Sequence, residues 1–162
     1  MDFLNWIYSP QETIKVNGKT LVEGDIVNLF GEDYTGKTKM CYDIIENNIE
    51  KAVLYIDTEN SMYPRLEELG KKTAILYSNF NKMSDIKKII LTSIVPIDYV
   101  IIDSLTAVEL EKYSTDLLDL FNVIKKNNKN LILVSQVRSY KDQVSYGFKK
   151  LLNFYAYNFE IK

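Results

Sequence analysis

The chain contains no histidine and a single cysteine, Cys41. The first absence excludes imidazole acid–base chemistry and histidine-ligated zinc. The second excludes an internal disulfide, and Cys41 is expected to serve packing rather than chemistry. Only two of the 20 basic residues are arginines, Arg65 and Arg138. That is too few for the arginine-rich lid with which a nucleotide kinase closes over phosphates. No apolar run approaches the roughly 20 residues that cross a bilayer, so no membrane partner is expected. The opening Met1-Asp2-Phe3-Leu4-Asn5-Trp6-Ile7-Tyr8 puts an acid where a secretory signal needs bases, and a cytoplasmic location is the expectation. A formal charge of −2 provides no global attraction for nucleic acid. Residues 137–162 are nevertheless basic, with Arg138, Lys141, Lys149, Lys150 and Lys162 against Asp142 and Glu160.

What remains is a 162-residue chain, 46% hydrophobic and 26% charged, long enough for one sizeable core. A single domain over 1–162 is expected. Residues 1–24 read as an aromatic segment followed by a hairpin at Asn17-Gly18, a type I′ turn signal. Strand and helix patterns then alternate. The strand 26–30 precedes a helix from Lys37 to about Asn48. The strand 52–57 precedes a short helix with Pro64 near its start and Gly70 just past its end. The strand 73–77 precedes a helix with Ile86, Ile89 and Ile90 on one face and Ser84 as N-cap. The strand 99–103 precedes a helix turning Leu117, Leu118, Phe121 and Ile124 inward, and the strand 131–134 follows. A last strand is expected within 155–160. Four strands are continuous apolar runs, which predicts burial on both faces and a mostly parallel sheet with helices on both sides. Ligands of such sheets lie beyond the carboxyl ends of the strands. Glu59, Asp103 and Gln136 fall there.

Between the first parallel strand and its helix runs Gly31-Glu32-Asp33-Tyr34-Thr35-Gly36-Lys37-Thr38, which matches G-x-x-x-x-G-K-[ST], a P-loop. Its glycines allow backbone N–H groups to surround phosphate oxygens, and the helix start adds its positive end. Lys37 supplies a point charge to the terminal phosphates, and the Thr38 hydroxyl reaches Mg²⁺. Asp103 closes an apolar strand about seventy residues downstream, which is the Walker B pattern: a carboxylate that holds Mg²⁺ opposite Thr38. Glu59 is the candidate base for an attacking water. Gln136 is a neutral amide able to touch the γ-phosphate and to relay its loss to the loop behind it.

With these residues in place, the chain resembles the RecA/RadA recombinase superfamily over roughly residues 22–162, and most resembles an archaeal RadA paralogue of the RadB type reduced to its ATPase core. The resemblance rests on four stretches in order: Leu21 to Gly31 entering the P-loop, Leu54-Tyr55-Ile56-Asp57-Thr58-Glu59-Asn60, Val100-Ile101-Ile102-Asp103-Ser104-Leu105-Thr106, and Val134-Ser135-Gln136-Val137. It implies a RecA-like P-loop NTPase fold with ATP and Mg²⁺ as cofactors and slow hydrolysis. It also implies a role in homologous recombination or DNA repair as a recombinase paralogue or regulator. The partners implied are single-stranded DNA and a recombinase or other protein, with self-association possible in principle.

Two loops would meet DNA in that family, here about 105–114 and 138–148. Arg138, Lys141, Lys149 and Lys150 lie in or beside the second, with Tyr140 and Tyr146 available to stack on bases. Tyr63 or Arg65 stands near the position from which such proteins contact adenine, although the run differs. No Phe-x-x-Ala polymerisation motif is evident, and a trans-acting arginine is nearly excluded. A second function is compatible with the same resemblance: a nucleotide-switched assembly ATPase of the clock or archaellum type, without a DNA role.

Overall fold

A computed structural model describes residues 11–32, 35–59, 64–93, 96–110, 113–140, 143–145 and 147–162; for 113, 138–140 and 143–145 the backbone alone is described. The chain begins with the hairpin β1 (Glu12–Val16) and β2 (Lys19–Val22). Asn17 and Gly18 both adopt positive φ, 50° and 78°, as a type I′ turn requires. There follow β3 (Ile26–Gly31), α1 (Lys37–Asn47), β4 (Val53–Asp57), α2 (Pro64–Leu69), β5 (Ile75–Ser78) and α3 (Met83–Thr92). The second half contains β6 (Tyr99–Asp103), a 3₁₀ turn at Leu105–Ala107, α4 (Tyr113–Lys126), β7 (Asn130–Gln136), the short strands β8 (Arg138–Tyr140) and β9 (Gln143–Ser145), α5 (Lys149–Tyr155) and β10 (Tyr157–Glu160).

Six strands form one sheet in the order β10-β3-β7-β6-β4-β5. Every pairing in it is parallel. The apolar runs explain this. All five residues of β4 and all five of β6 are buried, which requires cover on both faces. Alternation along the strands sorts the core into two layers. Ile26, Leu54, Ile56, Val100, Ile102, Leu131 and Leu133 pack against α3, α4 and α5. Val27, Leu29, Val53, Tyr55, Ile101, Ile132 and Val134 pack against α1, α2 and the hairpin. The protein is therefore α/β, a parallel six-stranded sheet flanked by helices. No helix among the described residues is long and apolar enough to cross a membrane.

A polar ladder inside the sheet sets the register of its last strand. Ser135 Oγ donates to Asn28 Oδ1 at 2.7 Å, and Asn28 Nδ2 donates to Asn158 Oδ1 at 3.1 Å. The Asn158 amide in turn donates to the Leu152 and Ala156 carbonyls, 3.0 Å each, capping the end of α5. A one-residue slip of β10 would break the bond between the buried Asn28 amide and Asn158.

Several expectations need correction. Lys82, not Ser84, is the N-cap of α3, and Ser84 lies within its first turn. In α4 the inward set is Leu117, Leu120, Phe121 and Ile124; Leu118 is half-buried. Stepping three, four and seven residues from Leu117 gives the observed set, whereas Leu118 sits about 100° around the helix. Residues 149–155 form a helix ahead of β10, and Lys149 and Lys150 open it as exposed residues. Residues 138–140 pair antiparallel with 143–145. The aromatic N-terminal residues Phe3, Trp6, Ile7 and Tyr8 lie outside the described residues, as do Asp33, Tyr34, Tyr63, Lys141 and Tyr146.

Candidate functional site

Because all six strands run the same way, their carboxyl ends share one side of the sheet. On the face covered by α1, alternation places Asp57 two residues beyond Tyr55, Asp103 two beyond Ile101 and Gln136 two beyond Val134. Asp57 and Asp103 are direct register partners. The chain leaves β3 at Gly31, turns through Gly36 at φ 89°, and enters α1 at Lys37. Gly36 has the left-handed backbone for which a side chain would be strained.

Lys37 is buried, at 8% exposure. Its ammonium donates to the Gly31 carbonyl at 2.9 Å and to the Glu32 carbonyl, and lies 3.5 Å from Thr35 Oγ1. Thr35 Oγ1 itself donates to the Glu32 carbonyl at 2.8 Å. The charge is thus turned into the hollow of the turn rather than out to solvent. One residue on, Thr38 Oγ1 donates to Asp103 Oδ2 at 2.8 Å. Asp103 is 7% exposed and also accepts from the Tyr55 hydroxyl at 2.6 Å. Burial first, then the nearby Cys41 and Asp103, push the Tyr55 phenol far above its ordinary range, so it remains a donor at any physiological pH. Burial and Asp103 likewise raise the Cys41 thiol well above normal.

The second half of the site lies across β4, β6 and β7. Glu59 is exposed just past β4, and its Oε1 accepts from Ser104 Oγ at 3.0 Å and from Gln136 Nε2 at 3.3 Å. The Gln136 backbone N–H donates to Thr106 Oγ1 at 2.9 Å. Beneath them the Thr58 hydroxyl donates to the Ser104 carbonyl and accepts from the Ser104 N–H, both at 2.7 Å. Three strand ends are thereby tied together by side chains 45 to 77 residues apart in sequence. Beside the turn lies a cavity of about 340 Å³ lined by Gly31, Glu32, Thr35, Val137, Glu160, Ile161 and Lys162.

Of the residues singled out from sequence, Gly31, Glu32, Thr35, Gly36, Lys37, Thr38 and Asp103 meet at one end of β3 and β6, and Glu59 meets Gln136 at the ends of β4 and β7. Arg65 is held elsewhere. Its guanidinium donates to Asp43 at 2.6 Å and Glu46 at 2.9 Å on α1, about 6.0 Å from the Tyr42 ring. Sequence reasoning missed Tyr55, Thr58 and Thr106 as polar members of the cluster. The alternation that puts Tyr55 on the same face as Asp57 was available as a signal.

The donor set fits a hard divalent cation. A hydroxyl and a carboxylate oxygen, 2.8 Å apart, suit Mg²⁺, which keeps most of its shell for water and phosphate. Among the described residues, no group of three acidic, cysteine or histidine side chains could cage a metal without such help. No family model matches the chain, and no curated protein is significantly similar to it.

Proposed function

We propose that the protein binds a nucleoside triphosphate with Mg²⁺ and hydrolyses it slowly, as a RecA/RadA-like P-loop ATPase core. The observation that carries this reading is the contact between Thr38 and Asp103 at the foot of a turn whose lysine points inward. A hydroxyl at the start of the helix after the turn and a carboxylate at a strand end are the two protein groups with which P-loop NTPases hold Mg²⁺, and here they lie 2.8 Å apart. Bound Mg²⁺ supplies neutralisation of phosphate charge. Lys37 exchanges the Gly31 and Glu32 carbonyls for phosphate oxygens. Glu59 orients the attacking water and accepts its proton, and Gln136 presents its amide to the terminal phosphate.

The wider role follows from the resemblance: homologous recombination or repair, as a recombinase paralogue or regulator that binds single-stranded DNA. The segment after Gln136, from Arg138 to Lys150, is the proposed contact, with Tyr140 and Tyr146 stacking on bases. A nucleotide-sensing Gln136 at its root would link the two events.

The test is thermal unfolding with and without ATP and Mg²⁺, alongside Lys37→Ala. Ligand at one hundred times its Kd adds about 2.7 kcal/mol, or roughly 5–10 °C in a domain of this size. Absence of any such shift in the wild-type protein overturns nucleotide binding. Fluorescence anisotropy on a labelled single-stranded oligonucleotide, at low and moderate salt, addresses DNA. ATP-dependent oligomerisation with no DNA effect would move the protein to the assembly-ATPase class.

A further inference from the structure

Two tyrosines in the sheet make the same contact one strand apart. Tyr55 pairs in register with Ile101, but its hydroxyl donates diagonally to Asp103, two positions further along β6. Tyr77 pairs with Tyr55, and its hydroxyl donates to Asp57 Oδ2 at 2.8 Å, two positions further along β4. Asp103 also receives Thr38 on the same oxygen.

A buried carboxylate has lost the water that would hydrogen-bond it, so protein donors fix its orientation. The Thr38 hydroxyl can offer a lone pair to a cation while its proton stays on Asp103, so that contact moves with whatever Thr38 coordinates. The Tyr55 hydroxyl reaches Asp103 from within the sheet and is independent of that movement. Tyr55 is 2% exposed, its ring packs against Tyr42 with centroids 5.9 Å apart, and its hydroxyl reaches Asp103 at 2.6 Å.

Resting on the nucleotide reading above, we propose that Tyr55 is a positioning residue for the metal-holding carboxylate: its hydroxyl keeps Asp103 oriented while Thr38 is drawn into coordination. Tyr77 performs no such service, because its acceptor is the neighbouring Asp57.

The experiment compares the wild-type chain with Tyr55→Phe and Tyr77→Phe, which keep both rings. Mn²⁺ binding in the presence of saturating ADP is followed by electron paramagnetic resonance, and ADP binding in EDTA is followed separately. Tyr55→Phe is expected to weaken Mn²⁺ by about tenfold or more, in line with losses of supporting hydrogen bonds at metal sites. ADP affinity in EDTA should stay at the wild-type value, and Tyr77→Phe should bind Mn²⁺ as the wild type does. Equal Mn²⁺ affinity in Tyr55→Phe and wild type overturns the proposal, as does an equal loss in Tyr77→Phe. A wild-type protein that binds no ADP at all overturns the nucleotide reading itself, which separates the two failures. Should Tyr55→Phe not fold, 3-fluorotyrosine installed at position 55 retains the hydroxyl. Its ¹⁹F resonance should move when Mg²⁺ joins ADP and not with ADP alone; a resonance indifferent to Mg²⁺ also overturns the proposal.

Discussion

Gly31→Ala tests how tightly the turn after β3 is braced. A Cβ at Gly31 would sit well inside 3.0 Å of the Ile161 carbonyl oxygen and 2.8 Å from Thr35 Oγ1. The hydroxyl can rotate away, but the carbonyl belongs to backbone that is pinned. Ile161 N–H donates to the Phe30 carbonyl at 2.7 Å, and Val137 N–H donates to the Gly31 carbonyl at 3.1 Å. Relief therefore requires the exit of β10 to move away from β3, or the turn to leave its seat. Overpacking of this kind costs about 2 kcal/mol, which lowers Tm by roughly 4–8 °C in a domain of this length. Gly147→Ala is the control, since a methyl group there would meet nothing within 4 Å and its φ lies outside the left-handed region. Calorimetry or circular dichroism melts at fixed pH decide the matter. If Gly31→Ala melts together with Gly147→Ala, β10 does not brace the turn and the packing account is wrong.

Glu59→Gln should lower the rate of ATP turnover by about a hundredfold or more, with nucleotide affinity retained, as measured by phosphate release and by equilibrium binding. Unchanged turnover would remove Glu59 from the base role. Arg65→Ala should cost less than about 1 kcal/mol in urea midpoint, because its ion pairs are surface-exposed. Partial burial raises the Asp43 carboxyl, but hydrogen bonds from Arg65 and Lys39 outweigh it and hold the carboxyl below its usual range. A depressed carboxyl stabilises above its ordinary pKa, so the gap between wild type and variant should close as pH falls below about 4; a gap that persists there would contradict this pairing. Cys41, buried with a raised thiol, should react with a thiol reagent only as the protein unfolds, following the denaturant transition rather than preceding it.

The parts legible in the sequence were those written in local pattern. Continuous apolar runs at 53–57 and 99–103 announced two-sided burial, and Asn17-Gly18 announced its turn. The glycine and lysine spacing at 31–38 located the turn at which Thr38 and Asp103 meet. What escaped depended on partners distant in the chain. Lys82 is an N-cap with no side-chain cap bond, so no serine, threonine, aspartate or asparagine marked that position. Phe148, the N-cap of α5, has φ 61°, a left-handed conformation unusual for an aromatic residue. Helix α5 therefore began without a recognisable signal. Tyr55 looked like one more apolar strand residue; its contact with Asp103 depends on the pairing of β4 with β6. Thr106 entered the cluster only because β7 ends beside the 3₁₀ turn.

β3, which carries the turn, and β6, which carries Asp103, are not neighbours; β7 lies between them. The two halves of the site cannot approach correctly until the stretch from Asn130 to Gln136 has been threaded into the middle of the sheet. A nascent or truncated chain that stops short of this central strand would thus be unable to bring Thr38 to Asp103, however complete its glycine-rich turn. Conversely, anything gripping both halves would clamp the sheet at its seam, and proteases that need global opening would be slowed along the whole molecule.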